Sequence, residues 1–185
     1  ILKMRLHYDP GKKRKYSKLI MKFGRDLLAI VPLGGQARAD GLYDYDLSAI
    51  AKHVLSPKNA DQATREFCKR LSEVDESGDL HLFRLPKLLG VIAELQPLTF
   101  LEAFYGEEED DRDTGRRRYR RLSLDRKESP ISSINDELIL KWCAERPEQR
   151  FQNIASEVRL FKRGDSEEYY WKPLFFALYA HAPDK

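Results

Sequence analysis

Apolar side chains in this chain return every three or four positions with charged residues between them, a rhythm that predicts α-helices rather than strands. Over residues 16–31 the recurring set is Leu19, Ile20, Phe23, Leu27, Ile30 and Val31, with Lys22, Arg25 and Asp26 interspersed. An amphipathic helix with that set as its apolar face is expected, ended by Pro32 and Gly34-Gly35. Asp44 or Asp46 is suited to cap a short helix in which Leu47, Ile50, Ala51, Val54 and Leu55 share a face, and Pro57 stops it. Asn59 is the expected cap of the next helix, where Ala63, Phe67, Leu71 and Val74 fall on one side and Ser77-Gly78-Asp79 closes the segment.

Residues 80–83 allow a brief strand, whereas the run over 85–95, with Leu88, Leu89, Val91, Ile92 and Leu95, reads as a largely buried helix. Gln96-Pro97 breaks it, and Pro97 at a first helical position restarts a helix through Phe100, Leu101 and Phe104 to Gly106. Two helices joined this tightly form a hairpin or a corner. Ser133-Ile134-Asn135-Asp136 has the form of a capping box, followed by Leu138, Ile139 and Trp142 on a buried face. Pro147 ends that helix and opens another through Phe151, Ile154, Ala155, Val158 and Phe161 to Arg163-Gly164. Asp165-Ser166-Glu167-Glu168 is a second capping box, leading into the aromatic segment around Trp171, where Pro173 marks a fresh start.

Between residues 107 and 130 the apolar rhythm disappears. An acidic run, Glu107-Glu108-Glu109-Asp110-Asp111, is followed by Arg116-Arg117-Arg118-Tyr119-Arg120-Arg121, as in a solvated linker or insertion. The expected organisation is therefore an N-terminal helical unit over 1–106, a charged linker over 107–130 and a C-terminal helical unit over 131–185. The fold class expected is all-α: stacked helix pairs, as a HEAT-like helical repeat or as an irregular helical bundle. Pro97-Leu98-Thr99-Phe100 is echoed by Pro173-Leu174-Phe175-Phe176, as two copies of a stacking helix pair would be. Proline at a helix start followed by Leu and Phe also arises by accident.

Composition narrows the class. With 185 residues, 42% of them hydrophobic, the chain can bury one substantial core or two small ones. The most apolar stretches are interrupted by Pro86, Lys87, Glu94, Lys172 and Pro173, short of the roughly 20 apolar residues that a membrane span requires. Residues 1–15 are mixed and increasingly basic, unlike a secretory signal, so a cytoplasmic location is expected. Cys68 and Cys143, each beside an apolar neighbour, read as reduced core thiols. The start at Ile1 without Met and the end at Pro183-Asp184-Lys185 suggest a piece of a longer intracellular polypeptide.

No convergent catalytic chemistry emerges. His7, His53, His81 and His181 lack metal-ligand spacing with one another or with a Cys, and neither Gly34-Gly35 nor Gly11-Lys12-Lys13 forms a phosphate cradle. No Ser sits in a nucleophile elbow, and both thiols fall on buried faces where they are inert. Asp44, Asp46 and the acidic run are wrongly spaced for a magnesium-binding nuclease centre, and residues 75–79 read as a turn rather than a calcium loop. The expectation is a non-enzyme with no cofactor, no metal and no membrane contact.

Two kinds of binding surface are left. Residues 12–18 and 116–121 gather cations, namely Lys12, Lys13, Arg14 and Lys15, then Arg116, Arg117, Arg118, Arg120 and Arg121, with Tyr16 and Tyr119 interleaved as stacking groups for nucleic acid. With a net charge of only +3 and an acidic run beside the second tract, a self-neutralised polyampholyte loop is the competing account. Tyr169, Tyr170, Trp171 and Phe175 exceed what one amphipathic face needs and suggest an interface, with other domains of the parent chain or with a protein partner.

Leu140-Lys141-Trp142-Cys143, Pro147-Glu148-Gln149-Arg150-Phe151, Trp171-Lys172-Pro173-Leu174 and the closing His181-Ala182-Pro183-Asp184 give residues 134–185 a resemblance to a known group. The segment resembles helical regions found far downstream in large bacterial ATPases of anti-phage defence loci. The resemblance implies a HEAT-like scaffold that relays or recognises, while an ATPase or effector domain elsewhere does the chemistry.

Overall fold

Proline opens three of the helices, at positions where the missing N–H has no intrahelical partner to lose. The computed structural model describes residues 18–33, 44–106 and 130–160. Among these residues there are seven α-helices and no strand, so the protein is all-α. The helices are α1 (Lys18–Ile30), α2 (Asp44–Val54), α3 (Asp61–Ser77), α4 (Pro86–Leu95), α5 (Pro97–Tyr105), α6 (Asp136–Ala144) and α7 (Pro147–Leu160). Short 3-10 turns occupy Leu82–Arg84 and Pro130–Ser133.

The packing order is layered. Helices α1, α3, α5 and α7 touch in succession, α2 packs on α4, and α4 packs on the 3-10 turn that leads into α6. The α1–α2, α4–α5 and α6–α7 contacts join the layers. Such an array suits helices too short to be stable alone, because each buries its apolar face against the next. One hydrophobic cluster runs through it from Leu28 to Ile154, centred on fully buried Phe67, Leu88, Leu89 and Phe100. Each such side chain contributes about 1.5–3 kcal/mol by leaving water. The cluster takes in Ile131, Ile139, Trp142 and Phe151, so the described residues on both sides of 107–129 share it.

Helix ends in this fold are finished largely by side chains from elsewhere. Asp44, at the start of α2, accepts from the backbone N–H groups of Lys87 (3.0 Å) and Leu88 (2.8 Å) and so caps α4, whose own N-cap residue, Leu85, has no suitable side chain. Arg70 on α3 donates to the carbonyls of Leu28 and, at 2.7 Å, Val31 at the end of α1. Gln96 donates to the carbonyls of Leu55 and Pro57 beyond α2, and Asn153 on α7 donates to the Tyr105 carbonyl at 2.8 Å, closing α5. These contacts satisfy carbonyls that a helix end leaves open and lock neighbouring elements in register. The end of α3 is local: Gly78 takes φ 78°, a left-handed conformation that favours glycine.

Several local expectations shift. The segment after α3 is a 3-10 turn rather than a strand, its Leu82 N–H bonded to the Asp75 carboxylate at 2.9 Å. Ala60, not Asn59, is the N-cap of α3, where the Thr64 hydroxyl donates back to the Ala60 carbonyl. The cap of α6 is Asn135, accepting from Glu137 N–H at 2.8 Å, because Ser133 is still inside the preceding 3-10 turn. The echo at residues 173–176 and the second capping box lie outside the described residues.

Candidate functional site

The buried side of α1 is only partly the expected one: of the expected face, Val31 is buried and Ile20 and Leu27 are half-buried. Gly24 and Leu28 are its buried residues, continued by Val31, while Leu19, Phe23 and Ile30 are 76%, 55% and 75% exposed. Glycine explains the choice. A Cβ at residue 24 would overlap the Val54 methyl Cγ1, so its absence lets α1 settle onto α2 along that line. Residues 20, 24, 28 and 31 therefore face inward, and the bulkier set is left on the outside.

At 100° per residue Leu19, Phe23 and Ile30 fall within roughly 40° of one another, forming a single outward ridge. Exposed Lys22 and Asp26 flank one edge, and half-buried Leu27 extends the other toward the core. The ridge is held from behind. Arg25 reaches the Val54 carbonyl at 3.4 Å, and Arg70 clamps the last carbonyls of α1 with a cation placed where the helix dipole favours one. A rigid amphipathic helix with an apolar ridge and a mixed-charge margin is equipped to receive another apolar surface, as anchors in protein interfaces do.

A concavity of about 480 Å³ lies between the α4–α5 junction and the start of α6, with Glu94, Pro97, Asn135, Leu138 and Lys141 on its walls. Asn135 is already engaged in capping α6, and the walls mix the carboxylates of Glu94 and Glu137 with the Lys141 ammonium. Among the described residues no group of His, Cys, Asp and Glu is placed to hold a metal ion. Cys68 and Cys143 are free and buried. Burial pushes both thiols up to about 12, against the pull of the Arg150 charge in the case of Cys143, so neither is a ready nucleophile.

The residues singled out for nucleic acid, Lys12, Lys13, Arg14, Lys15, Arg116, Arg117, Arg118, Arg120 and Arg121, all lie outside the described residues, as do the interface aromatics Tyr169, Tyr170, Trp171 and Phe175. What pattern reasoning missed is the ridge itself. Its signal was present: α1 carries two apolar stripes, and the one containing a glycine is the one that permits close packing. Comparison with protein-family models, curated proteins and solved structures found no match. Among the described residues no helix is long and apolar enough to cross a membrane.

Proposed function

We propose that this chain is a non-enzymatic helical scaffold segment of a larger intracellular bacterial protein, working by contact with a protein surface. The observation that carries it is the outward ridge of Leu19, Phe23 and Ile30 on a helix fixed from behind by Gly24, Arg25 and Arg70. Three large apolar side chains on one exposed line lose favourable transfer energy unless something covers them. The layered packing and the resemblance of residues 134–185 to helical regions of defence ATPases support the same class, in which the chemistry resides elsewhere.

Site-specific photocrosslinking in cells is the test. A crosslinker at Phe23 is expected to give protein adducts, and one at Lys69, on an exposed part of α3, is not. Equal, background-level labelling at both sites refutes the proposal. A nucleic-acid-binding module is the second reading, favoured by exposed Lys18 and Lys22, which carry the basic tract of residues 12–18 onto α1. Titration with duplex and single-stranded DNA and RNA at two salt concentrations decides it. Tight, salt-steep binding abolished by neutralising Arg116, Arg117, Arg118, Arg120 and Arg121 would make this reading the primary one.

A further inference from the structure

We infer that the ridge of α1 pairs with the same ridge on a second copy of this chain, in antiparallel register, to give a weak two-fold dimer. The inference deepens the reading of α1 as an interaction face by naming the partner.

The argument is the order of residues along α1. A two-fold interface must be complementary to its own reversal. At 1.5 Å of rise per residue, Leu19 and Ile30 lie about 8 Å on either side of the midpoint between Gly24 and Arg25, Phe23 and Asp26 about 2 Å, and Lys22 and Leu27 about 4 Å. Reversing a second α1 about that midpoint sets Leu19 against the second copy's Ile30. Phe23 then stands within about 2 Å, along the axis, of the second copy's Leu27, on the side of the ridge that both occupy. Lys22 stands equally close in level to the second copy's Asp26, on the other side. The pairing is thus apolar along one margin and oppositely charged along the other, and the dyad repeats each contact.

Parallel pairing lacks this match, because its dyad sets the Lys22 and Asp26 margin of one copy against the Leu27 margin of the other. Arg25, which would otherwise add a like charge near the dyad, is directed inward to the Val54 carbonyl. A single pair of helices as short as α1 buries less than the roughly 1,200 Å² typical of stable interfaces, so the association is weak and reversible.

Sedimentation equilibrium of the full chain from low to several hundred micromolar tests it. A monomer–dimer equilibrium is expected, with F23D raising the dissociation constant by about tenfold or more. K22D alone and D26K alone each weaken the dimer by about tenfold at low salt, and the K22D/D26K exchange restores it, because opposite charges again face each other. Circular dichroism of each variant separates lost pairing from lost folding. In mixtures of singly substituted chains, L19C is expected to crosslink to I30C and not to itself.

A monomer at every concentration, no recovery in the exchange variant, or crosslinks between two L19C chains would each overturn the pairing. A monomeric chain whose Phe23 still captures other proteins in cells would refute the self-pairing while upholding the interaction face.

Discussion

Gly24 decides which side of α1 is inside. Alanine there gains about 1 kcal/mol of helix propensity over glycine. It also drives a methyl into Val54, a β-branched residue with little freedom to yield, and overpacking of this kind costs about 1–3 kcal/mol. Gly24→Ala is therefore expected to lower stability by up to about 2 kcal/mol in denaturant melts, and Gly24→Leu by more; an unchanged midpoint for Gly24→Leu would show that α1 does not dock along this line. The two cysteines give a separate check. Cys68 and Cys143 have their thiols raised from an ordinary 9.0 to about 12, so the folded state keeps them neutral where an unfolded chain would ionise them. Their contribution to stability is full below pH 9 and is lost as pH rises from about 9 toward 12. At pH 8 alkylation of both is expected to proceed only as fast as the protein unfolds; rapid labelling of the native chain would contradict their burial.

Caps made across the fold tie the helices together more tightly than their lengths allow. Asp44 is 43 residues from Lys87, and Arg70 is 42 from Leu28, yet Asp44 completes the start of α4 and Arg70 the end of α1. Asp44→Ala leaves two N–H groups at the start of α4 without their acceptor and is expected to cost about 1–2 kcal/mol. Asp46→Ala, although only two residues away, should leave α4 protected in amide exchange; loss of Lys87 and Leu88 protection in Asp46→Ala but not in Asp44→Ala would reverse the assignment. This division also explains what was legible in advance. Helix positions followed from apolar spacing, and the starts at Pro97 and Pro147 and the stop at Gly78 followed from backbone chemistry within a few residues. The role of Asp44 did not, because an aspartate at a helix start reads as that helix's own cap, and only the approach of α4 redirects it. The ridge on α1 was misassigned for a related reason: spacing shows that a helix has apolar faces, while the neighbour's shape, here Val54 against Gly24, selects which one is buried.

Arg150 adds a polar tie across residues 107–129 to the shared apolar cluster. Its guanidinium, with only 6% of the side chain exposed, lies 4.2 Å from the centre of the Trp142 ring. It donates to the Trp142 carbonyl at 2.9 Å, to Glu145 at 2.8 Å and to Glu102 at 3.1 Å, while the Trp142 indole N–H donates to the same Glu102 carboxylate at 3.0 Å. Glu102 thus joins α5 to α6 and α7 at once, whereas Glu145 only ties the end of α6 to the helix that follows it. A buried cation is costly unless its partners remain, so the two acids are unequal. Glu145→Ala removes the more exposed of the two carboxylates and leaves the guanidinium its bonds to Glu102 and to the Trp142 carbonyl, so it is expected to cost no more than about 1 kcal/mol. Glu102→Ala leaves the indole N–H and part of the guanidinium without acceptors and is expected to cost about 1–3 kcal/mol. Because one apolar cluster spans both sides, that loss should be felt by the whole chain and not by a detached unit. In a Trp171→Phe background, which leaves Trp142 as the one tryptophan, fluorescence and far-ultraviolet dichroism are expected to report a single coincident transition, shifted as one when Glu102→Ala is added. If fluorescence instead changed ahead of the helical signal, residues 130–160 would be melting independently of residues 44–106, and the shared core would be too weak to make the two sides fold together.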